Sequence, residues 1–116
     1  MTELEIVQGT TNTIGVVVLN EDGSTYNPAT GDTVRLGIKH DPAKSAYDVL
    51  KTGTFDTEQN CYVFTLSPAD TASLLSAVYG ERYWYDVSLQ TSGGEFYNII
   101  PPSVMLIYTA VTKVVI

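Results

Sequence analysis

Three separate runs of this sequence alternate with a period of two. In Thr33–Lys39, Val34, Leu36 and Ile38 fall on one side, and Arg35, Gly37 and Lys39 on the other. In Cys61–Leu66, Tyr62, Phe64 and Leu66 oppose Cys61, Val63 and Thr65. In Glu81–Gln90, Tyr83, Tyr85, Val87 and Leu89 oppose Trp84, Asp86, Ser88 and Gln90. Successive side chains of an extended strand point to opposite faces, so each run predicts a strand with one face in a core. The expected buried set is Val34, Leu36, Ile38, Tyr62, Phe64, Tyr85, Val87 and Leu89.

Four further strands are expected. Leu4 to Val7 is the first. Thr13 to Leu19 carries apolar residues on both faces, which predicts a central strand covered on both sides. Ser45 to Thr52 is irregular, and Lys44, Asp48 and Lys51 suit an edge that resists pairing with other chains. The last begins at Glu95, after the Ser92-Gly93-Gly94 turn. Pro101-Pro102 should bend it where it leaves a partner or changes sheets, and pairing should resume from Val104 to Val111. Asp22-Gly23 and Asp41-Pro42 mark turns.

One helix is expected, from about Pro68 to Tyr79. Ser67 suits the N-cap, Pro68 the first helical position and Asp70 the positive end of the helix dipole. Leu74, Leu75 and Val78 would form its apolar stripe, and Gly80 would stop it.

About seven strands, one short connecting helix and no βαβ rhythm predict an all-β protein: a single immunoglobulin-like antiparallel β-sandwich over residues 1–116. Tyr83, just after the helix, stands where such folds place a corner tyrosine. Tyr85 stands where antibody domains place the second cysteine of their inter-sheet disulfide.

Charge narrows the function. There are 13 acids against 6 bases, a net charge of −7. The scattered bases make no patch for phosphates, so nucleic acid is not an expected partner. Yet 44% of residues are hydrophobic, too many for a disordered acidic tail. The start Met-Thr-Glu-Leu-Glu-Ile lacks the basic and apolar regions of an export signal. Prolines and polar residues interrupt the uncharged stretch from Phe96 to Thr112, so no membrane span is expected. The single cysteine, Cys61, allows no intrachain disulfide and fits a reducing cytoplasm.

No catalytic, cofactor or metal site emerges. Asp22, Asp32, Asp41, Asp56 and Asp70 sit at turns or caps, where aspartate serves the backbone; a calcium site would need many converging oxygens. His40 and Cys61 are too few for zinc. Gly93-Gly94 lacks the lysine and helix of a phosphate loop. The aromatic group Tyr79, Tyr83, Trp84, Tyr85 and Tyr97 is the remaining binding signal. Trp84 and Asp86, on the face opposite the core residues, could stack a sugar, meet a protein or be covered by neighbours. Val114, Val115 and Ile116 are the other candidate contacts. They belong to an apolar, β-prone segment that either completes the last strand or pairs with a neighbour's edge.

The order of the motifs is also informative. Ile6-Val7-Gln8-Gly9-Thr10 is followed by Asp22-Gly23 and by Ala29-Thr30-Gly31-Asp32-Thr33-Val34-Arg35-Leu36-Gly37-Ile38-Lys39. Then come Tyr62-Val63-Phe64-Thr65-Leu66-Ser67-Pro68-Ala69-Asp70-Thr71 and Tyr83-Trp84-Tyr85-Asp86-Val87-Ser88-Leu89. Over nearly the whole chain this resembles the N-terminal domain of phage baseplate upper proteins. The resemblance implies a non-enzymatic phage or prophage structural protein, made in the bacterial cytoplasm and resident in the virion, whether in the tail or the baseplate. Its partners would be other virion proteins or further copies of itself. In those proteins a host-recognition part follows this domain, so the sequence is expected to be either a stand-alone accessory protein or an isolated domain. A carbohydrate-binding sandwich that touches a host glycan is the competing reading.

Overall fold

The computed structural model describes residues 4–109. The strands are β1 (Leu4–Val7), β2 (Asn12–Val16), β3 (Thr33–Lys39), β4 (Val49–Thr52), β5 (Thr54–Asp56), β6 (Cys61–Leu66), β7 (Glu81–Gln90) and β8 (Phe96–Tyr108), with one helical turn, α1 (Pro68–Thr71), after β6. They form a five-stranded sheet in the order β1-β8-β7-β3-β4 and a three-stranded sheet in the order β2-β6-β5. One sheet thus groups the strands of immunoglobulin C, F and G, extended at both edges, and the other groups B, E and D. The fold is an immunoglobulin-like β-sandwich.

The period-two runs supply the core. Val34, Leu36 and Ile38 are at most 1% exposed, and Phe64, Leu66 and Val87 are fully enclosed. Met105 and Ile107 of β8 join them. Burying each such side chain contributes roughly 1.5–3 kcal/mol. Tyr85 departs from expectation and is only partly buried. The β7–β8 register shifts between Tyr85 and Val87: Tyr85 opposes Ser103 whereas Val87 opposes Ile100. Pro101 and Pro102 therefore face Asp86 alone, as a β-bulge. A bulge needs fewer ladder donors, so two prolines fit within a strand that keeps its partner and its sheet.

Other expectations change for tertiary reasons. β2 is an outer strand, not a central one. Val16 and Val18 face the core, while Val17 and Leu19 are more than half exposed. The irregular run before β4 forms a strand only over Val49–Thr52, and the short β5 follows it. The sandwich is not wholly antiparallel, because β1 pairs parallel with β8 from Leu4↔Met105 to Val7↔Tyr108. Val111 and the candidate contacts Val114, Val115 and Ile116 lie outside the described residues.

The helix is much shorter than Pro68–Tyr79. Asp70 accepts the Ser67 N–H at 2.7 Å, so the expected start is present. Beyond Thr71, tertiary partners take the groups that a helix would use. The Gln8 side-chain amide donates to the carbonyls of Ala72 and Leu74. The buried Thr71 hydroxyl accepts the Gly9 N–H at 2.8 Å. Leu75 gives its N–H to the Tyr83 hydroxyl at 2.8 Å. Leu74 alone of the expected stripe is buried; Leu75 and Val78 are exposed.

Candidate functional site

Trp84 and Asp86 lie on the outer face of the five-stranded sheet, opposite Lys39 and Gly37 of β3. Gly37 has a packing role there: a Cβ at this position would overlap the Tyr47 ring. Tyr47 comes from the loop before β4 and lies across that gap. Its hydroxyl is 3.4 Å from Asp86 Oδ2, and Lys39 Nζ sits 4.6 Å from its ring centre, within cation–π range. Burial pushes the Tyr47 phenol pKa up, and the Asp86 carboxylate adds to the shift. Together Gly37, Tyr47, Trp84 and Pro102 border a crevice of about 50 Å³. A crevice that size holds no sugar ring, so a ligand here would lie on the surface formed by Tyr47 and Trp84. Tyr47 escapes a strand-by-strand reading because a loop brings it over the sheet.

A larger concavity lies where the two sheets part. Its walls are Val17 and Leu19, just beyond β2, and Tyr97 and Ile99 of β8, with Tyr26 and Leu89 between; its volume is about 730 Å³. It has a clear structural cause. β1 covers β8 only from Met105 to Tyr108, so the other edge of Phe96–Val104 meets no strand among the described residues. On the facing sheet, β2 is the outermost strand.

Carboxylates hold both tyrosines of this groove. The Tyr26 hydroxyl donates to Asp32 Oδ2 at 2.6 Å, which pushes its pKa up to about 12. The Tyr97 hydroxyl donates to Glu95 Oε2 at 2.7 Å, and its pKa is raised chiefly by that bond. Both phenols stay protonated at neutral pH, and their rings serve as fixed walls. Glu21 and Glu95 make the rim acidic, while Val17, Leu19 and Tyr97 leave apolar surface exposed around it.

The turn aspartates serve their own loops. Asp22 accepts the N–H and hydroxyl of Ser24, and these bonds lower its pKa. Asp32 accepts the Ala29 N–H, Asp41 that of Ala43, and Asp56 those of Glu58 and Gln59. His40 Nε2 is 3.6 Å from Glu81 Oε1, and its ring lies 4.7 Å from that of Tyr83. Cys61 is buried. No group of three or more histidine, cysteine or acidic side chains is placed to hold a metal among the described residues. No helix among them is long and apolar enough to cross a membrane.

A comparison with known protein families finds no match, and neither does one with curated proteins. Among solved structures, the chain is similar to murine CRIg at 10% identity and a TM-score of 0.40, covering 93% of this chain and 92% of that one. The fold assignment stands on the strand pairings themselves.

Proposed function

We propose that this domain is a non-enzymatic structural module of a phage or prophage virion, made in the bacterial cytoplasm and working by contact with other protein chains. The carrying observation is the groove between β2 and β8, where Val17, Leu19 and Tyr97 expose apolar surface beside a strand edge that has no partner among the described residues. Contiguous apolar surface beside a free edge is a feature of protein–protein contacts. The sequence resemblance to baseplate upper proteins supplies the virion setting, tail or baseplate. Proteomics on purified particles from an induced lysogen tests this reading. The chain should be found in a fixed ratio to the tail proteins; particles that lack it would overturn the proposal.

A second reading rests on Tyr47, Trp84 and Asp86. Two aromatic rings beside a carboxylate offer a stacking surface and a hydrogen-bond acceptor, which suits a host-surface glycan. A glycan array decides this point: binding that Trp84→Ala abolishes would favour it over assembly.

A further inference from the structure

We infer that the groove between β2 and β8 accepts an extended strand from a second copy of this chain, namely residues 110–116. This deepens the assembly reading and rests on it. The groove lies in line with β1, at the level where a longer first strand would continue along β8. Among the described residues no strand covers the outer edge of β8 from Phe96 to Ile100, which leaves backbone groups there before Pro101-Pro102 interrupts the donors. Val17, Val18 and Leu19 line the opposite wall, Val18 at its floor and the other two at its exposed rim. A strand laid there would gain main-chain hydrogen bonds on one side and apolar contact on the other.

Ala110-Val111-Thr112-Lys113-Val114-Val115-Ile116 suits such a slot. Its residues are β-prone, and the period of two puts Val114 and Ile116 on the face opposite Lys113. With Val114 and Ile116 against Val18 and Leu89, Lys113 would sit at the rim near Glu21 and Glu95. That is a charge match in a chain of net charge −7, whose copies otherwise repel.

Reach makes the donor a different copy. Along β8, Ile99 is roughly 30 Å from Tyr108, at about 3.3 Å per residue. Residues 110–116 span at most about 25 Å when extended, too short to turn back and fill the same chain's groove. Groove and donor leave opposite ends of β8, so the contact is head-to-tail. Repeated, such a contact closes a ring or continues as a filament.

Light scattering on purified full-length chains tests this with two complementary variants. Val17→Lys with Leu19→Lys blocks the acceptor with two charges at exposed positions, and Val114→Asp spoils the donor. The unaltered chain should associate as its concentration rises. Each variant alone should have the mass of a monomer, with an unchanged thermal midpoint. Mixed, they should double in mass, because one still donates and the other still accepts. A monomeric unaltered chain, a Val114→Asp chain that still associates, or a mixture that stays monomeric would each overturn the inference. If a variant melts early, backbone amide exchange of the unaltered chain decides. Protection at Phe96–Ile100 should rise with concentration, and constant protection there would overturn the inference. The particle proteomics is independent: a virion protein that stays monomeric would assemble through another surface.

Discussion

The Tyr83 hydroxyl accepts the Leu75 N–H at 2.8 Å, across the corner between β6 and β7. Tyr83 is 2% exposed, and its phenol is pushed up in pKa by burial. This is the tyrosine corner of immunoglobulin-like folds, with the hydroxyl tied to backbone upstream of its own strand. Tyr83→Phe keeps the ring and strands the Leu75 N–H. Stability should fall by about 1–3 kcal/mol, the cost of a lost partner for a part-buried donor. Urea midpoints check this; an unchanged midpoint would remove the corner from the account.

Asp70 carries a pH dependence of definite sign. The Lys51 ammonium at 2.9 Å, then the Ser67 N–H, hold its carboxyl below the usual carboxylate range. A depressed folded-state pKa contributes stability in full above the unfolded value of about 4 and loses it as pH falls through the lower folded value. Asp70 is partly exposed, so solvent screening keeps the effect to about 1 kcal/mol or less. Asp70→Asn should therefore be less stable at neutral pH and should narrow its gap to the unaltered chain as pH drops. Thermal midpoints at several acidic pH values test this, and parallel curves would refute it.

Phe64 is fully buried, and its ring closes against Gly53, where an added Cβ would come within 2.8 Å of it. Phe64→Ala should cost about 3–5 kcal/mol, much of the stability of a typical domain. A loss under about 1 kcal/mol in denaturant titration would show that the site collapses around the missing ring.

Gly37→Ala tests the outer-face patch. The new methyl group competes with the Tyr47 ring, so Tyr47 should swing away from Asp86 and Lys39. Overpacking of this kind costs about 1–3 kcal/mol where a neighbour cannot yield, and less here because Tyr47 is exposed on its far side. The Tyr47 ring proton shifts should move towards solvent-exposed values. Unmoved shifts would mean that the ring does not rest on Gly37.

Local pattern carried most of the fold. The alternation of Val34, Leu36 and Ile38 marks a strand and also its buried face, because only one face of β3 meets the core. The Tyr83 corner was legible from its place after a Ser-Pro-x-Asp helix start. Three features were not legible, each for want of a partner distant in sequence. The helix stops early because Gln8, from the end of β1, holds the carbonyls of Ala72 and Leu74. Val17 and Leu19 looked like the second face of a central strand, yet a strand's place in its sheet is set by its neighbours. Pro101-Pro102 looked like a change of partner, whereas a bulge opposite Asp86 absorbs both residues. On the outer face, Trp84 and Asp86 were nameable from β7 alone, and Tyr47 was not.

The parallel pairing of β1 with β8 has a consequence for the order of events during synthesis. Ile6, 3% exposed when folded, faces Ile107 in register. The first strand therefore docks only after β8, about a hundred residues further on, has been made. Contacts of such long sequence separation slow folding and leave the waiting segment open to wrong partners. Gln8 shares that delay, since it is placed only when β1 docks. The corner after α1 therefore takes its final shape only once β8 is present, although its own residues are made well before that strand.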